Sequence, residues 1–133
     1  MAQGRPGIAV AVVARGGRVL MVRRRVAEGG LSWQFPAGEI EPGETAGDAA
    51  VREAAEETGL VVRAVAPLGE RTHPVTRRAM AYWACEALSG TAEVRDAEEL
   101  ADLAWCTYAG VEERVPHGLY EPVRRYLAGI LTP

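Results

Sequence analysis

The sequence contains no lysine, so all fifteen of its basic residues are arginine. It has one phenylalanine, Phe35, and two cysteines, Cys85 and Cys106. The missing lysine excludes covalent chemistry through a lysine amine. It leaves arginine, with its forked guanidinium, and protonated histidine as the only cationic side chains that could hold an anion. Two isolated cysteines lack the spacing of a zinc site and lie in apolar, strand-like runs, so we expect two buried thiols.

Long apolar runs are also missing. No segment is long enough to cross a membrane, and the first residues lack the apolar core of a signal peptide. We therefore expect a cytoplasmic protein without a membrane partner. With 15 basic and 18 acidic residues the formal charge is −3, and the absence of a basic run makes duplex nucleic acid a poor candidate partner. Nothing in the sequence indicates an oligomeric state.

What the sequence does contain is typical of one globular domain, which we expect over residues 1–133. The chain is 48% hydrophobic and 25% charged, which is enough for a core. Apolar and β-branched runs predict strands over residues 8–15, 19–23, 31–35, 60–70, 79–88 and 103–108. Helices are predicted over 45–58 and 118–130, and loops over 27–30, 38–43 and 71–78. One helix between strands and another at the end predict a layered α/β fold.

Three glutamates, Glu53, Glu56 and Glu57, share one face of the first predicted helix. Their charges repel one another, and the adjacent Arg52 cannot balance all three. Taken alone, such a run is most often a solvated helix face. The other explanation is a divalent cation, and oxygen ligands suit Mg²⁺ or Mn²⁺ rather than Zn²⁺. Because Mg²⁺ held by few carboxylates usually bridges substrate phosphates, a phosphate ester or anhydride would then be the substrate.

The glycine-rich loop before this helix supports the second explanation. Gly38 and Gly43 allow tight turns, and the helix N-terminus carries a partial positive charge that suits an anion. The spacing of the whole segment resembles the Nudix box, G-x5-E-x7-R-E-U-x-E-E-x-G-U, in which U is a bulky apolar residue. Leu60 fits the last U, whereas Ala54 at the first U is smaller than usual. All seven fixed positions match: Gly38, Glu44, Arg52, Glu53, Glu56, Glu57 and Gly59.

The resemblance implies an α/β/α sandwich with a mixed central sheet. It also implies hydrolysis of a nucleoside diphosphate that is linked to another moiety. The metal ligands that it implies for Mg²⁺, or for Mn²⁺, are the three box carboxylates and a main-chain carbonyl: Glu53, Glu56, Glu57 and Ala37 or Gly38. Arg52 would orient the carboxylates by hydrogen bonding, and Glu44 would support the loop and helix from behind.

The resemblance does not fix the general base, because family members place it on the box helix or on a loop outside it. Glu53 is the candidate within the box. Glu98 and Glu99, which precede Trp105, are candidates in an acidic loop that could instead be merely solvated. We favour Glu99. The catalytic group that results is Arg52, Glu53, Glu57 and Glu99.

Residues outside the box suggest contacts with the substrate. Arg23 lies at the predicted end of the second strand, where an arginine in this family often approaches a phosphate or a base. Trp33 and Phe35 could stack on a base, with core packing as the alternative. His73 lies in a predicted loop, and Tyr82 lies on a strand that could face the pocket. The expected substrate contacts are Arg23, Phe35, Glu44, His73 and Tyr82.

The chain begins almost directly in its first strand, which is typical of the compact MutT-like members of the family. We therefore expect Mg²⁺-dependent hydrolysis of a nucleoside triphosphate, with an oxidised dNTP as one candidate, to NMP and pyrophosphate. Two alternatives stay open. One is a hydrolase of ADP-ribose or another nucleoside-diphosphate derivative. The other is a nucleotide-sensing module without catalysis, against which the intact carboxylates argue.

Overall fold

The structure is a computed structural model that describes residues 5–28 and 31–133. Seven strands and three helices follow one another in this part of the chain. In chain order they are β1 (Ile8–Arg15), β2 (Arg18–Glu28), β3 (Leu31–Gln34), β4 (Ala37–Glu39), α1 (Ala46–Thr58), β5 (Val61–Thr72), β6 (Ala79–Ser89), β7 (Leu100–Cys106), α2 (Tyr108–Arg114) and α3 (Glu121–Ile130).

All seven strands belong to one mixed sheet with the order β3-β2-β1-β6-β5. The short strands β4 and β7 pair with β1 and β2 respectively, outside that path. β1 and β6 run parallel, with Ile8 opposite Met80 and Ala14 opposite Glu86, whereas the other pairs are antiparallel. The expected mixed central sheet is therefore confirmed.

Helices cover both faces of this sheet, because successive residues of β1 point to opposite sides and both sets are apolar. The side of α1 is built largely from alanines and other small residues: Ala9, Ala11, Val13, Ala49, Ala50 and Ala54. The side of α2 and α3 carries larger residues: Val10, Val12, Met21, Val111, Val123 and Leu127. The arrangement is the expected α/β/α sandwich. Ala54, the small residue in the box, is fully buried within the first of these layers.

The first helix forms where the sequence predicts it, and its two ends have clear causes. The Thr45 side chain accepts a hydrogen bond from the Asp48 N–H at 3.1 Å, which caps the N-terminus. Gly59 adopts a left-handed conformation with φ of 77°, which ends the helix after Thr58. These two caps fix the start and the end of the segment that carries the glutamates.

Several predicted boundaries are wrong. β2 continues beyond Arg23 to Glu28 because its polar end still pairs with β3 and β7. It therefore includes residues 27–28 of the predicted 27–30 loop, and residues 29–30 lie outside the described residues. The predicted 38–43 loop begins inside β4, whose three residues pair with β1. β7 ends at Cys106 because the Thr107 side chain caps a helix, α2, that was not predicted. α3 starts at Glu121 rather than at 118, next to Pro122.

Both cysteine thiols are free and buried, as expected. Burial raises the pKa of the Cys85 thiol to about 11, so it stays protonated at neutral pH. Among the described residues, no helix is long and apolar enough to span a membrane.

Candidate active site

The candidate site lies where β4 meets the inner face of α1. β4 pairs with β1 through Ala37 and Gly38, which places both residues beside the helix. A Cβ atom added at Gly38 would collide with the carboxylate of Glu53. Only glycine therefore lets the strand and the Glu53 side chain approach this closely.

Arg52 is the centre of the hydrogen-bond network at this site. Its Nε and Nη2 donate to the two carboxylate oxygens of Glu44 at 2.8 and 2.9 Å, a forked pair. Its Nη2 also donates to the main-chain carbonyl of Glu39 at 2.9 Å. Its Nη1 donates to Glu53 at 2.9 Å and to Glu56 at 3.2 Å. One guanidinium thus ties the loop, the start of the helix and two of the three box carboxylates together.

The network fixes the charge of Glu44. Hydrogen bonding to Arg52, helped by the N–H of Glu41, lowers the pKa of Glu44 to about 2. The same contact with Glu44 raises the pKa of Arg52 further above its ordinary value. Both groups are therefore fully charged at neutral pH, and Glu44 contacts Arg52 in the way expected for a supporting residue.

Glu57 and Glu53 behave differently, because both carboxylates are withdrawn from water. Only 4% of the Glu57 surface is exposed, and burial raises its pKa to about 8, although the neighbouring Arg24 pulls it back. Burial raises the pKa of Glu53 to about 7 against the opposing effect of Arg52. Both carboxyls lose their protons less readily than usual. An added positive charge nearby would strongly favour their ionised forms.

Arg24, from β2, faces these carboxylates together with the acidic loop. Its Nη1 donates to Glu99 Oε2 at 2.8 Å, and its Nη2 lies 3.9 Å from Glu57 Oε2. The loop itself is held at both ends: the Arg95 N–H donates to the Glu57 carbonyl, and the Arg25 N–H donates to the Glu99 carbonyl. The Glu99 side chain remains 60% exposed, so it is fixed in position but open to solvent.

The donor set suits a hard divalent cation. Glu57 Oε1 is buried and has no hydrogen-bond partner among the described residues, so one carboxylate oxygen is left for another ligand. All three box side chains offer oxygen, the donor atom that hard divalent cations prefer. Within residues 5–28 and 31–133, no three acidic, histidine or cysteine side chains converge as a ready-made metal cluster. Glu53 and Glu56 instead each accept a hydrogen bond from Arg52 through Oε1.

A cavity of about 1030 Å³ opens over these carboxylates and continues to the α3 side of the sheet. Of the five expected substrate contacts, Phe35, His73 and Tyr82 line it. Glu44 does not line it and instead contacts Arg52. Phe35 and Tyr82 are buried in the core as well as facing the cavity. His73 uses Nδ1 to accept hydrogen bonds from the N–H groups of Val75 and Thr76, which shapes its own loop.

Three of the five expected contacts, Phe35, His73 and Tyr82, therefore lie on the cavity wall. Arg23 does not: it is exposed and is absent from the residues that line the cavity, whereas the next residue, Arg24, lines it. The guanidinium of Arg24 lies 2.8 Å from Glu99 and 3.9 Å from Glu57. The geometry favours Arg24 for the contact that the sequence assigned to Arg23.

Sequence reasoning also missed two residues on the α3 side of the cavity, Arg71 and Tyr120. Arg71 is the second-last residue of β5, and Tyr120 immediately precedes α3, so neither belongs to a recognisable motif. The alternation of β2 does not identify Arg24, because the pairing of β2 with β7 shifts between Arg23 and Arg24. No local pattern marks Arg71 or Tyr120, which only the tertiary fold brings together.

Comparisons with known proteins agree with this site and fold. The chain is 50% identical over 56 residues to an RNA pyrophosphohydrolase of Serratia proteamaculans, a match that covers 42% of this chain and 30% of that protein. It is also 36% identical to an octanoyltransferase of Myxococcus xanthus, a match that covers 91% of this chain and 36% of that protein. The chain thus spans about a third of the length of these curated relatives.

A solved structure and a family description complete the comparison. A NUDIX hydrolase from Nitrosomonas europaea has the same fold, with a TM-score of 0.74 at 20% identity, covering 97% of this chain and 93% of that one. The family model described as the NUDIX domain matches residues 4–126, which is most of the chain. The resemblance inferred from the box is thereby confirmed, and the chain belongs to the Nudix family.

Proposed function

We propose that the chain is a Mg²⁺-dependent pyrophosphohydrolase that cleaves a nucleoside triphosphate to NMP and pyrophosphate. The observation that carries the proposal is the group of three box carboxylates at one end of a cavity of about 1030 Å³. Two of them have raised pKa values, and Glu57 keeps an unpartnered buried oxygen. A protein that only bound nucleotides would gain nothing from three neighbouring carboxylates, which repel the phosphates.

Members of the family generally use divalent metal ions, and the donor set here suits Mg²⁺, with Mn²⁺ as a substitute. Glu53, Glu56 and Glu57 would hold the ion, together with the carbonyl of Ala37 or Gly38. When bound, Mg²⁺ neutralises phosphate charge and lowers the pKa of the attacking water. Arg52 would keep the carboxylates oriented, since it already contacts Glu53 and Glu56.

Glu99 is our candidate for the general base, with Glu53 as the alternative. Hydrolysis adds the hydroxyl of water to one phosphorus, breaks a P–O bond of the anhydride and leaves a proton to be accepted. Three observations support Glu99 as the group that accepts this proton: its carboxylate is exposed, Arg24 contacts it at 2.8 Å, and it lines the cavity. Glu53 also contacts an arginine, Arg52 at 2.9 Å, but only 12% of its side chain is exposed and it lies against Gly38, so we rank it second.

The substrate is tested with a panel incubated with Mg²⁺, and the products are separated by ion-exchange chromatography. The panel holds the four dNTPs, the four NTPs, an oxidised dGTP, ADP-ribose and a 5′-triphosphorylated RNA. The RNA is included because the aligned relative from Serratia is named an RNA pyrophosphohydrolase. NMP with pyrophosphate supports the proposal. AMP with ribose phosphate would instead support the ADP-ribose alternative, and selective binding without any turnover would support a sensor.

The role of the site is tested with Glu57→Gln beside Glu86→Gln. Loss of the box carboxylate should lower kcat by about 100-fold or more, because a bound metal supplies several kcal/mol of transition-state stabilisation. Glu86 is an exposed glutamate paired with Arg63 on the sheet, so its variant controls for the loss of one carboxylate. Equal activity of both variants and the unmodified chain would refute the assignment of the site.

A further inference from the structure

The α3 side of the cavity holds a cluster of one arginine and two tyrosines. The Arg71 guanidinium lies over the ring of Tyr120 at 4.9 Å and over the ring of Tyr82 at 5.7 Å. The two rings are tilted by 37° with their centres 4.9 Å apart. All three residues line the same cavity as the box carboxylates. The cluster is therefore placed to contact the part of a ligand that extends away from α1.

Arg71 differs from the other arginines that line this cavity among the described residues. Arg24, Arg52 and Arg78 each form an ion pair with a glutamate, at 2.8 to 3.0 Å. Arg71 forms no ion pair within residues 5–28 and 31–133. The faces of the two rings partly balance its positive charge. Among the described residues it is thus a cation without an anionic partner.

The surroundings hold Arg71 in one orientation. Its Nε donates to the Tyr82 hydroxyl at 3.2 Å, and the Tyr120 hydroxyl donates to the Glu70 carbonyl at 3.0 Å. Gly69 has φ of 137°, and a Cβ there would lie 2.7 Å from the Tyr120 hydroxyl, so glycine is needed for the ring to reach this position. The two terminal nitrogens of Arg71 donate no hydrogen bond within the described residues, which leaves a fixed pair of donors.

We propose that Arg71, Tyr82 and Tyr120 form a base-recognition subsite that selects guanine over adenine. The inference rests on the proposed function, because it assumes that phosphates lie at the carboxylates and the base lies further along the cavity. A forked guanidinium matches the two adjacent acceptors of guanine, O6 and N7. Adenine presents N7 beside an amino donor, which would face the N–H groups of Arg71. The aromatic walls favour a flat base rather than a second phosphate.

The test is equilibrium binding of GMP, AMP and 7-deaza-GMP, measured by calorimetry without a divalent cation. 7-Deaza-GMP lacks the N7 acceptor and keeps the rest of guanine. We expect the unmodified chain to bind GMP at least about fivefold more tightly than either of the other two, the lower range of a paired contact. Equal affinity for GMP and 7-deaza-GMP would overturn the proposal without any variant being needed.

Two variants of Arg71 then locate the selectivity. Arg71→Met should abolish the preference for GMP, and Arg71→Lys should abolish it as well, because a single ammonium cannot form the fork. Retention of the preference in Arg71→Met would refute the assignment. A lysine variant with unchanged affinity for all three nucleotides would show that Arg71 binds phosphate instead. Arg63→Met, which removes an exposed arginine paired with Glu86, is the matched control and should leave the affinities unchanged.

Melting curves accompany each variant, because Arg71 packs against two rings. Binding also separates this inference from the proposed function, since no bond needs to break. Selective GMP binding without hydrolysis of any nucleotide would support the subsite and refute the hydrolase. Hydrolysis with equal affinity for GMP and AMP would support the hydrolase and refute the subsite.

Discussion

The buried carboxylate of Glu57 should lower the free energy of unfolding of the metal-free protein as the pH rises. Glu57→Gln should remove this contribution. Only 4% of the Glu57 surface is exposed, and burial raises its pKa from 4.5 to about 8. Below pH 4.5 the carboxyl is protonated in both the folded and the unfolded chain. Between pH 4.5 and about 8 only the unfolded chain loses its proton, so the free energy of unfolding falls as the pH rises.

The size of this effect follows from the two pKa values. A change from 4.5 to about 8 corresponds to at most about 5 kcal/mol. Water entry and movement of Arg24 reduce the cost of the charged form, so we expect about 2 kcal/mol in practice. In a chain of 133 residues each kcal/mol moves Tm by about 4 °C. Glutamine stays neutral at every pH, so Glu57→Gln should melt about 8 °C above the unmodified chain at pH 9 and near it at pH 4.5.

The assay is thermal unfolding between pH 4.5 and 9 in the presence of EDTA, repeated with excess Mg²⁺. Mg²⁺ should raise the Tm of the unmodified chain most at high pH, because protons compete with the cation at low pH. In Glu57→Gln this gain should be much smaller. Glu86→Gln, which changes an exposed ion pair, should run parallel to the unmodified chain. Parallel curves for Glu57→Gln and the unmodified chain in EDTA would refute the reasoning.

Three other predictions concern the residues around this carboxylate. Gly38→Ala should lower kcat by about 100-fold, because the added methyl displaces the Glu53 carboxylate, while the circular dichroism spectrum stays unchanged. An unchanged kcat would contradict the close approach of Gly38 and Glu53. Glu44→Gln should lower Tm at pH 7. Its difference from the unmodified chain should shrink as the pH falls from 4.5 through about 2, because Glu44 becomes protonated in the folded chain only there; a difference that does not depend on pH would contradict this. In steady-state kinetics, Arg24→Met should lower kcat/KM by about tenfold or more, and Arg23→Met should lower it by less than twofold. The reverse order would restore Arg23 as the contact.

The box and its helix could be predicted because their determinants are local. The carboxylates fall on one face through helical spacing, and Thr45 and Gly59 set the ends of α1 within a few residues of the glutamates. The α/β/α layers were predicted from the resemblance of residues 38–60 to the Nudix box. The thiols of the two cysteines were predicted from the apolar runs around them, and both are buried.

The rest depended on contacts between distant segments. Arg23 was chosen because β2 was expected to stop there, but pairing with β3 and β7 carries the strand to Glu28. Once the strand continues, which of the two arginine side chains faces the site depends on the side of the sheet that α1 covers. No local sequence pattern gives that side. α2 spans only seven residues, about two turns, which is too short for a clear pattern of apolar residues. It depends on its Thr107 cap and on the burial of Val111. Local chemistry was thus readable, and the choice between adjacent residues was not.

The absence of lysine has a specific consequence at this site. Arg52 uses Nε and Nη2 on Glu44 and leaves Nη1 for Glu53 and Glu56. A lysine has a single side-chain nitrogen, so it could not contact Glu44 through two nitrogens and Glu53 and Glu56 through a third. A cation that took the Glu53 and Glu56 oxygens facing Arg52 would displace only the contacts of Nη1. The contacts of Nε and Nη2 with Glu44 would remain. Glu44 would therefore keep the arginine in place while the other two carboxylates changed partner.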